Sequence, residues 1–316
     1  MASALCLLEG ARSDEAARSL YAAASQVRDA ALGRKLAFTA HIHMIARCEL
    51  SPACKYCSLS SSFSRVQDER DELPRKGLLE AAKYATERGV QSIVLVGGSD
   101  PKGSDAKVRS AVEAVRSVTE VELGLDVGPY LSAETLDWLK GQNARTVYCS
   151  IETSNPRVFR NAKPGDDLSA RIALDELLEQ HGMRAGNIVM NGLGTSGDLL
   201  RSILSLRRFP HLAYLAISTF RPVRGTPYER KRPGSLRTSL KALAVARLVF
   251  PHAHLGLAEV EVEDPGSAAR ASSQLAAGGG NTFAGILIYR NRKVDHLDGI
   301  RREAAAAGFV PIGSNS

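Results

Sequence analysis

Residues 36–57 read LAFTAHIHMIARCELSPACKYC: an apolar run over 36–44, then Cys48, Cys54 and Cys57 within ten residues. The run predicts a β-strand, and the three thiols follow it on a single loop. Three cysteines so close together point to one metal centre. Zinc would need a fourth ligand or a water, and His41 or His43 could supply the ligand. A four-iron cluster normally takes four thiolates, so three would leave one iron open to another ligand.

Working outward, strand-like runs lie at 36–44, 91–97, 121–126, 145–152, 184–191, 212–219, 253–260 and 282–288. Amphipathic helical patterns lie between and after them, at 77–88, 104–118, 132–140, 168–180, 197–207, 235–249, 265–277 and 295–307. A helix after every strand makes neighbouring strands parallel, and eight such units suit an α/β fold of the (β/α)8 TIM-barrel type. An open doubly wound sheet shares the alternation, so closure is an expectation. Residues 13–31 predict a further helix that caps the barrel. The expected division is an N-terminal helical extension, 1–34, and one barrel domain, 35–316. Barrel chemistry sits where strands end, and the cysteine loop falls there.

With 316 residues, 44% hydrophobic and 24% charged, the chain can bury a large core and is not globally disordered. The apolar run Ala4 to Leu8 is too short for a signal-peptide core or a membrane span, so a cytoplasmic protein without membrane contact is expected. Five cysteines (Cys6, Cys48, Cys54, Cys57, Cys149) are too few and too clustered for a secreted disulfide framework. The net charge of +7 is compatible with a solvated basic surface, an anionic substrate or an acidic redox partner. Its densest stretch, Arg221 to Arg232, has no aromatic but Tyr228, so nucleic acid is not expected.

A cysteine triad after the first barrel strand, with an aromatic (Tyr56) before the last cysteine, resembles the signature of the radical S-adenosylmethionine (SAM) superfamily. The usual spacing there is three residues and then two. Here the first gap is five, which puts Leu50 where the common pattern has cysteine. Pro52 is expected to fold the two extra residues out of the way. The five-then-two spacing is similar to that of the HmdB/HcgA-type protein, which serves biosynthesis of the iron-guanylylpyridinol cofactor of [Fe]-hydrogenase.

Further segments carry the resemblance through about 35–310. Val94 to Pro101 (VLVGGSDP) resembles the motif that contacts the methionyl amino group of SAM, which implies that role for Gly97, Gly98, Ser99 and Asp100. Ser150 to Pro156 (SIETSNP) resembles a segment of biotin-synthase-like enzymes, including the hydrogenase maturase HydE. By period two Tyr148, Ser150 and Glu152 face the lumen, while Cys149 packs outward. Arg171 stands where those relatives place an arginine against the SAM carboxylate, and Asn191 where a fifth-strand motif lies near adenine. Phe220 to Pro227 resembles the loop after strand six, and Leu275 to Gly285 the last-strand region of biotin synthase.

The resemblance implies a [4Fe-4S] cluster on Cys48, Cys54 and Cys57, with SAM held by Tyr56, Gly97, Gly98, Ser99, Asp100, Ser150, Glu152, Arg171 and Asn191. The positions that hold a second cluster in biotin synthase fall near Gly97, Asp126, Met190 and Glu259, none a thiolate, so sulfur insertion is disfavoured. Candidate substrate contacts are His41, His43, Tyr148, Arg224 and Glu259, with Tyr214 beside them. The implied partners are a small-molecule cofactor precursor and an electron donor such as ferredoxin or flavodoxin. The alternatives are a methylornithine-synthase-like or HydE-like enzyme and, from another class, a non-redox zinc-binding protein.

Overall fold

The structure, a computed structural model, describes residues 14–57, 59, 71–258 and 267–312. Eight parallel strands form one curled sheet: β1 (Lys35–His43), β2 (Ser92–Val96), β3 (Glu122–Asp126), β4 (Thr146–Tyr148), β5 (Arg184–Asn191), β6 (Leu212–Thr219), β7 (His254–Ala258) and β8 (Thr282–Tyr289). Their hydrogen-bonded order runs from β7 down to β1 and on to β8. Helices α2 (Arg75–Glu87), α3 (Asp105–Arg116), α4 (Ala133–Gly141), α5 (Pro156–Ala162), α6 (Leu168–Gln180), α7 (Ser196–Ser205), α8 (Leu236–Val249), α9 (Ser267–Ala276) and α10 (Leu297–Ala306) follow the strands. No helix among the described residues is long and apolar enough to cross a membrane.

Strand alternation builds the core. On β1, Leu36, Phe38, Ala40 and Ile42 point outward and are buried with Ile93, Leu95, Leu123, Leu125 and Val147 of the next strands, beneath Leu78, Val112 and Leu136 of the helices. Helix starts are specified locally. Asn155 caps α5 through its side chain, with Pro156 in the first turn, and Thr195 and Asp198 form a capping box on α7.

The barrel closes between β7 and β8 without a regular ladder. Asn281 donates its N–H to Leu255 O (2.8 Å), and its side-chain oxygen accepts from Leu255 N (2.8 Å). Above it the Gln274 amide accepts from Leu257 N (2.9 Å) and donates to Thr282 O (2.9 Å). The approach is close, since a Cβ on Gly256 would lie 2.5 Å from the Thr282 oxygen. Beneath this seam the fully buried Arg247 donates to Gly279 O, Pro251 O, Ala253 O and the Asn281 side chain.

Some expectations are revised. The strand expected over 145–152 stops at Tyr148, because Ser150 and Glu152 take left-handed backbone conformations (φ 48° and 58°) that a strand cannot continue. Helix α5, the antiparallel strand β9 (Arg292–Asp295) against β8, and the short β10 (Val310–Pro311) beside β1 were not expected. The N-terminal helix α1 (Asp14–Leu32) packs along α8, with Leu20 and Ala24 in the common core and Gly278 pressed onto Tyr21 O and Ser25. It therefore flanks the seam.

Gln274→Leu keeps nearly the same volume but strands the Leu257 N–H and the Thr282 C=O. The expected cost is about 2–5 kcal/mol in chemical denaturation, with faster hydrogen exchange at Leu257. An unchanged midpoint would show that the seam does not depend on this amide.

Candidate functional site

The cysteine loop is pinned at both ends of its run. Its first limb lies beside the end of β2: Gly98 N donates to Ala46 O (2.8 Å) and Glu49 N to Ser99 O (2.9 Å). A Cβ on Gly98 would stand 2.2 Å from the Cys48 backbone, so only glycine lets the two segments meet. Its last limb is held by Lys55 N to Ala162 O (2.8 Å) and by Tyr228 N to Lys55 O (3.0 Å). Gly165 lies against Pro52 O, where a Cβ would come within 2.2 Å. Within the longer gap Glu49, Ser51 and Pro52 are exposed. Leu50 turns inward and is buried with Cys54, Tyr56, Ala162, Leu193 and Phe220 in a small apolar cluster of its own.

Cys54 is buried, while Cys48 and Cys57 are half-buried. Burial pushes the Cys54 thiol up, and Lys163 pulls it back. Among the described residues no three ligand-type side chains converge as a single ion would require. A cubane cluster, by contrast, ties each thiolate to a different iron.

Beside the loop lies a buried charge network. Asp166 accepts from Arg171 Nη2 (2.7 Å) and Nε (2.9 Å), and its Oδ2 lies 2.9 Å from Lys163 Nζ. Burial favours a neutral Asp166, but Lys163 and Arg171 hold its carboxyl down to about 2. Arg171 also donates to Cys149 O (2.7 Å), Ser150 O (3.1 Å) and Ser99 Oγ (3.4 Å), so its fork is fully used within the protein. Lys163 Nζ stands 3.4 Å from Glu152 Oε2, an oxygen that is buried and has no hydrogen-bond partner. The network thus presents one cation with spare donor capacity and one carboxylate oxygen awaiting a donor.

Inside the barrel, His43, Val96 and Asp126 stand in one row across β1, β2 and β3. Several inward residues of β1, β5, β6 and β8, among them His41, His43, Met190, Ala216 and Ala284, are half-buried although they face the barrel axis, so part of the lumen is hollow. His43 stacks on Tyr289 (4.2 Å between centroids) and both its ring nitrogens are buried without a protein partner. Across the sheet Tyr148 fills the space left by Gly186, Tyr214 lies 6.2 Å from it, and His254 stacks on Tyr214 at 4.9 Å. Burial pushes the Asp126 carboxyl up, although Ser150 donates to it (3.2 Å).

The expected site residues divide accordingly. Tyr56, Gly97, Gly98, Ser99, Ser150, Glu152 and Arg171 gather around the cysteine loop, and His41, His43 and Tyr148 line the lumen. Asp100 is committed locally, accepting from Lys102 N (2.9 Å). Asn191 falls on the outward face of β5 and ties it to the start of α8 through Ser235 O (2.9 Å) and Ser239 Oγ (3.0 Å), not to the lumen. Arg224 lies exposed on the loop after β6, beyond the last inward position of that strand. Glu259 and Cys6 lie outside the described residues. Cys149 is buried outward against Asp175 of α6, as its alternation requires. Sequence reasoning missed Lys163 and Asp166, and named Asp126 only as a position that holds no thiolate. The run Lys163-Pro-Gly-Asp-Asp before α6 was the available signal.

Two outcomes are expected. Gly98→Ala overpacks the contact with Cys48, costing about 1–3 kcal/mol in thermal or urea unfolding, and makes Cys48 react faster with an alkylating reagent. Burial lowers His41 to about 4 and, with His41 beside it, His43 to about 3. Their unfolded value is about 6.5, so below it the unfolded chain takes up protons that the fold refuses. Stability is complete above about pH 6.5 and falls toward pH 4, by up to about 1.4 kcal/mol per unit for each histidine. A His41→Gln/His43→Gln variant should flatten the pH dependence of the urea midpoint over that window.

Comparison with known proteins bears on this arrangement. A 3-methylornithine synthase of Methanosarcina barkeri is 29% identical over 250 residues, covering 76% of this chain and 67% of that protein. An uncharacterized protein of Methanocaldococcus jannaschii is 27% identical over 235 residues, covering 74% of this chain and 62% of its own length. In structure, a methylornithine synthase superposes with a TM-score of 0.82 at 21% identity, covering 96% of this chain and 91% of that one, which shows the shared fold. The Radical SAM superfamily profile matches residues 42–206, more than half of the sequence. The chain belongs to the radical SAM superfamily.

Proposed function

We propose that this protein cleaves SAM reductively at a [4Fe-4S] cluster and directs the resulting radical onto a small precursor of the iron-guanylylpyridinol cofactor of [Fe]-hydrogenase. The reading rests on one observation: three thiols, spaced five and then two, are fixed on one loop at the mouth of a hollow barrel, beside a buried charge network. The donor set suits a cubane with one iron left open, because three cysteines and no fourth occupy the loop. Three free thiols also suit a reducing compartment, the cytoplasm.

When bound, the cluster supplies the electron that splits SAM into methionine and a 5′-deoxyadenosyl radical. The protein's part is orientation and exclusion. Lys163 and Glu152 offer opposite charges 3.4 Å apart, a match for the carboxylate and ammonium of an aminoacyl group. Arg171 holds the ends of β2 and β4 together through Ser99 and the Cys149 and Ser150 carbonyls. The lumen's hydrogen-bonding groups, His41, His43, Asp126 and Tyr148, would orient a small polar substrate. A second reading, a methylornithine-synthase-like enzyme, is supported by the 29% identity noted above.

Anaerobic reconstitution should load about four iron and four sulfide per chain, and dithionite with SAM should release 5′-deoxyadenosine. Cys48→Ala should lose both. Stoichiometric zinc without sulfide, and no 5′-deoxyadenosine, would overturn the radical reading. Consumption of a pyridinol precursor in step with 5′-deoxyadenosine supports the cofactor pathway. Formation of 3-methylornithine from an amino acid replaces it with the second reading.

A further inference from the structure

The basic excess of this chain is concentrated in one place. Residues 48–57, 156–163 and 221–232 together carry nine Lys and Arg and two carboxylates, an excess equal to the +7 of the whole chain, although one of the nine, Lys163, is buried and paired with Asp166. The remaining residues hold equal numbers of cations and carboxylates. These three segments are also in mutual contact, and they meet at Lys55, between Cys54 and Cys57. Lys55 N and O bond to Ala162 O (2.8 Å) and Tyr228 N (3.0 Å), and Lys55 Nζ donates to Asn161 Oδ1 (3.1 Å).

Arg157 lies one helical turn before Asn161 on the same face of α5, with Arg160 beside it. Both are exposed, as are Arg221, Arg224, Arg230 and Arg232 of the loop that follows β6. Among the described residues Arg157, Arg160, Arg224 and Arg232 have no carboxylate partner, and the Arg230 contact with Glu229 is a loose 4.0 Å. Beneath this surface Cys48 and Cys57 are only half-buried, so the thiol loop lies close under it.

We infer that this surface is the docking site for an acidic electron-donor protein. The inference rests on the radical SAM reading, which requires an electron to reach the cysteine loop. One electron leaves the reduced donor, which is oxidised by one, and arrives at the group held by Cys48, Cys54 and Cys57. A field from cations grouped on one face, in excess over the exposed Glu49 and Glu229, steers an acidic partner and orients it with its redox centre toward the thiols. A nucleic acid is the less suitable occupant. The aromatic rings of the region, Tyr56, Phe220 and Tyr228, pack on one another, and Lys231 lies 4.6 Å over the Tyr228 ring, so none is presented for base stacking.

The test follows reduction of the anaerobically reconstituted protein by an acidic flavodoxin in its fully reduced form, using stopped flow, with photoreduced deazaflavin as a small neutral reductant. The flavodoxin rate should fall steeply between about 20 and about 300 mM salt. At low salt Arg157→Glu/Arg160→Glu should lower it about tenfold or more, and Arg230→Glu/Arg232→Glu, on a separate segment, should do the same. Iron and sulfide content and the deazaflavin rate should stay at parent values in both. Each of these results supports the docking surface. A flavodoxin rate indifferent to salt and to both variants overturns it, as does loss of single-stranded RNA binding in variants whose flavodoxin rate is unchanged. A parent chain that takes up no iron and sulfide removes the radical SAM reading, and this inference with it.

Discussion

The Asp166 carboxylate, fully buried and shared by Lys163 and Arg171, is the interaction on which the arrangement of the site depends. Two buried cations would repel one another and resist leaving water. One carboxylate between them offsets part of both costs and fixes their separation. Arg171 then reaches the ends of β2 and β4, and Lys163 reaches Glu152. The turn that carries Asp166 also carries Gly165, on which the cysteine loop rests through Pro52 O. Four separate segments of chain are thereby held around one point.

Much of this was legible in the sequence because it depends on short-range pattern. The alternation of Leu36, Phe38, Ala40 and Ile42 with Thr39, His41 and His43 gave β1 and its two faces, and similar runs gave seven more strands. What escaped depends on contacts between distant segments. Ser150 and Glu152 end β4 because their backbones turn left-handed to meet β5 and Arg171, and nothing within 145–152 announces that. Asn191 follows the alternation rule outward and serves α8, whereas motif resemblance alone set it near a ligand. Leu50 stands where the common pattern has cysteine, and it is an apolar cluster contributed by residues 162, 193 and 220 that draws it inward.

The lumen shows a similar division between local and distant causes. Its polar residues are inward positions of regular strands, so they follow from register. Its shape follows from pairs such as Tyr148 with Gly186, where one strand gives up a side chain so that its neighbour can lay a ring across the gap. Imidazoles held neutral and a carboxyl whose charged form burial disfavours line the interior with hydrogen-bonding groups. The cations lie outside, on the loops around the cysteines. Interior and rim therefore suit different partners.

The seam between β7 and β8 has a consequence for the family of shapes this barrel can take. A strand ladder fixes its neighbours at about 4.8 Å and propagates that spacing along its whole length. Here the gap is spanned by a backbone bond from Asn281 N–H to Leu255 O and otherwise by the side chains of Gln274 and Asn281, whose reach sets its width beyond that bond. The girth of the lumen is thus adjustable at two residues, leaving the other seven strand-to-strand joints untouched. A barrel built this way can be refitted to a wider or narrower guest by altering a joint instead of a wall.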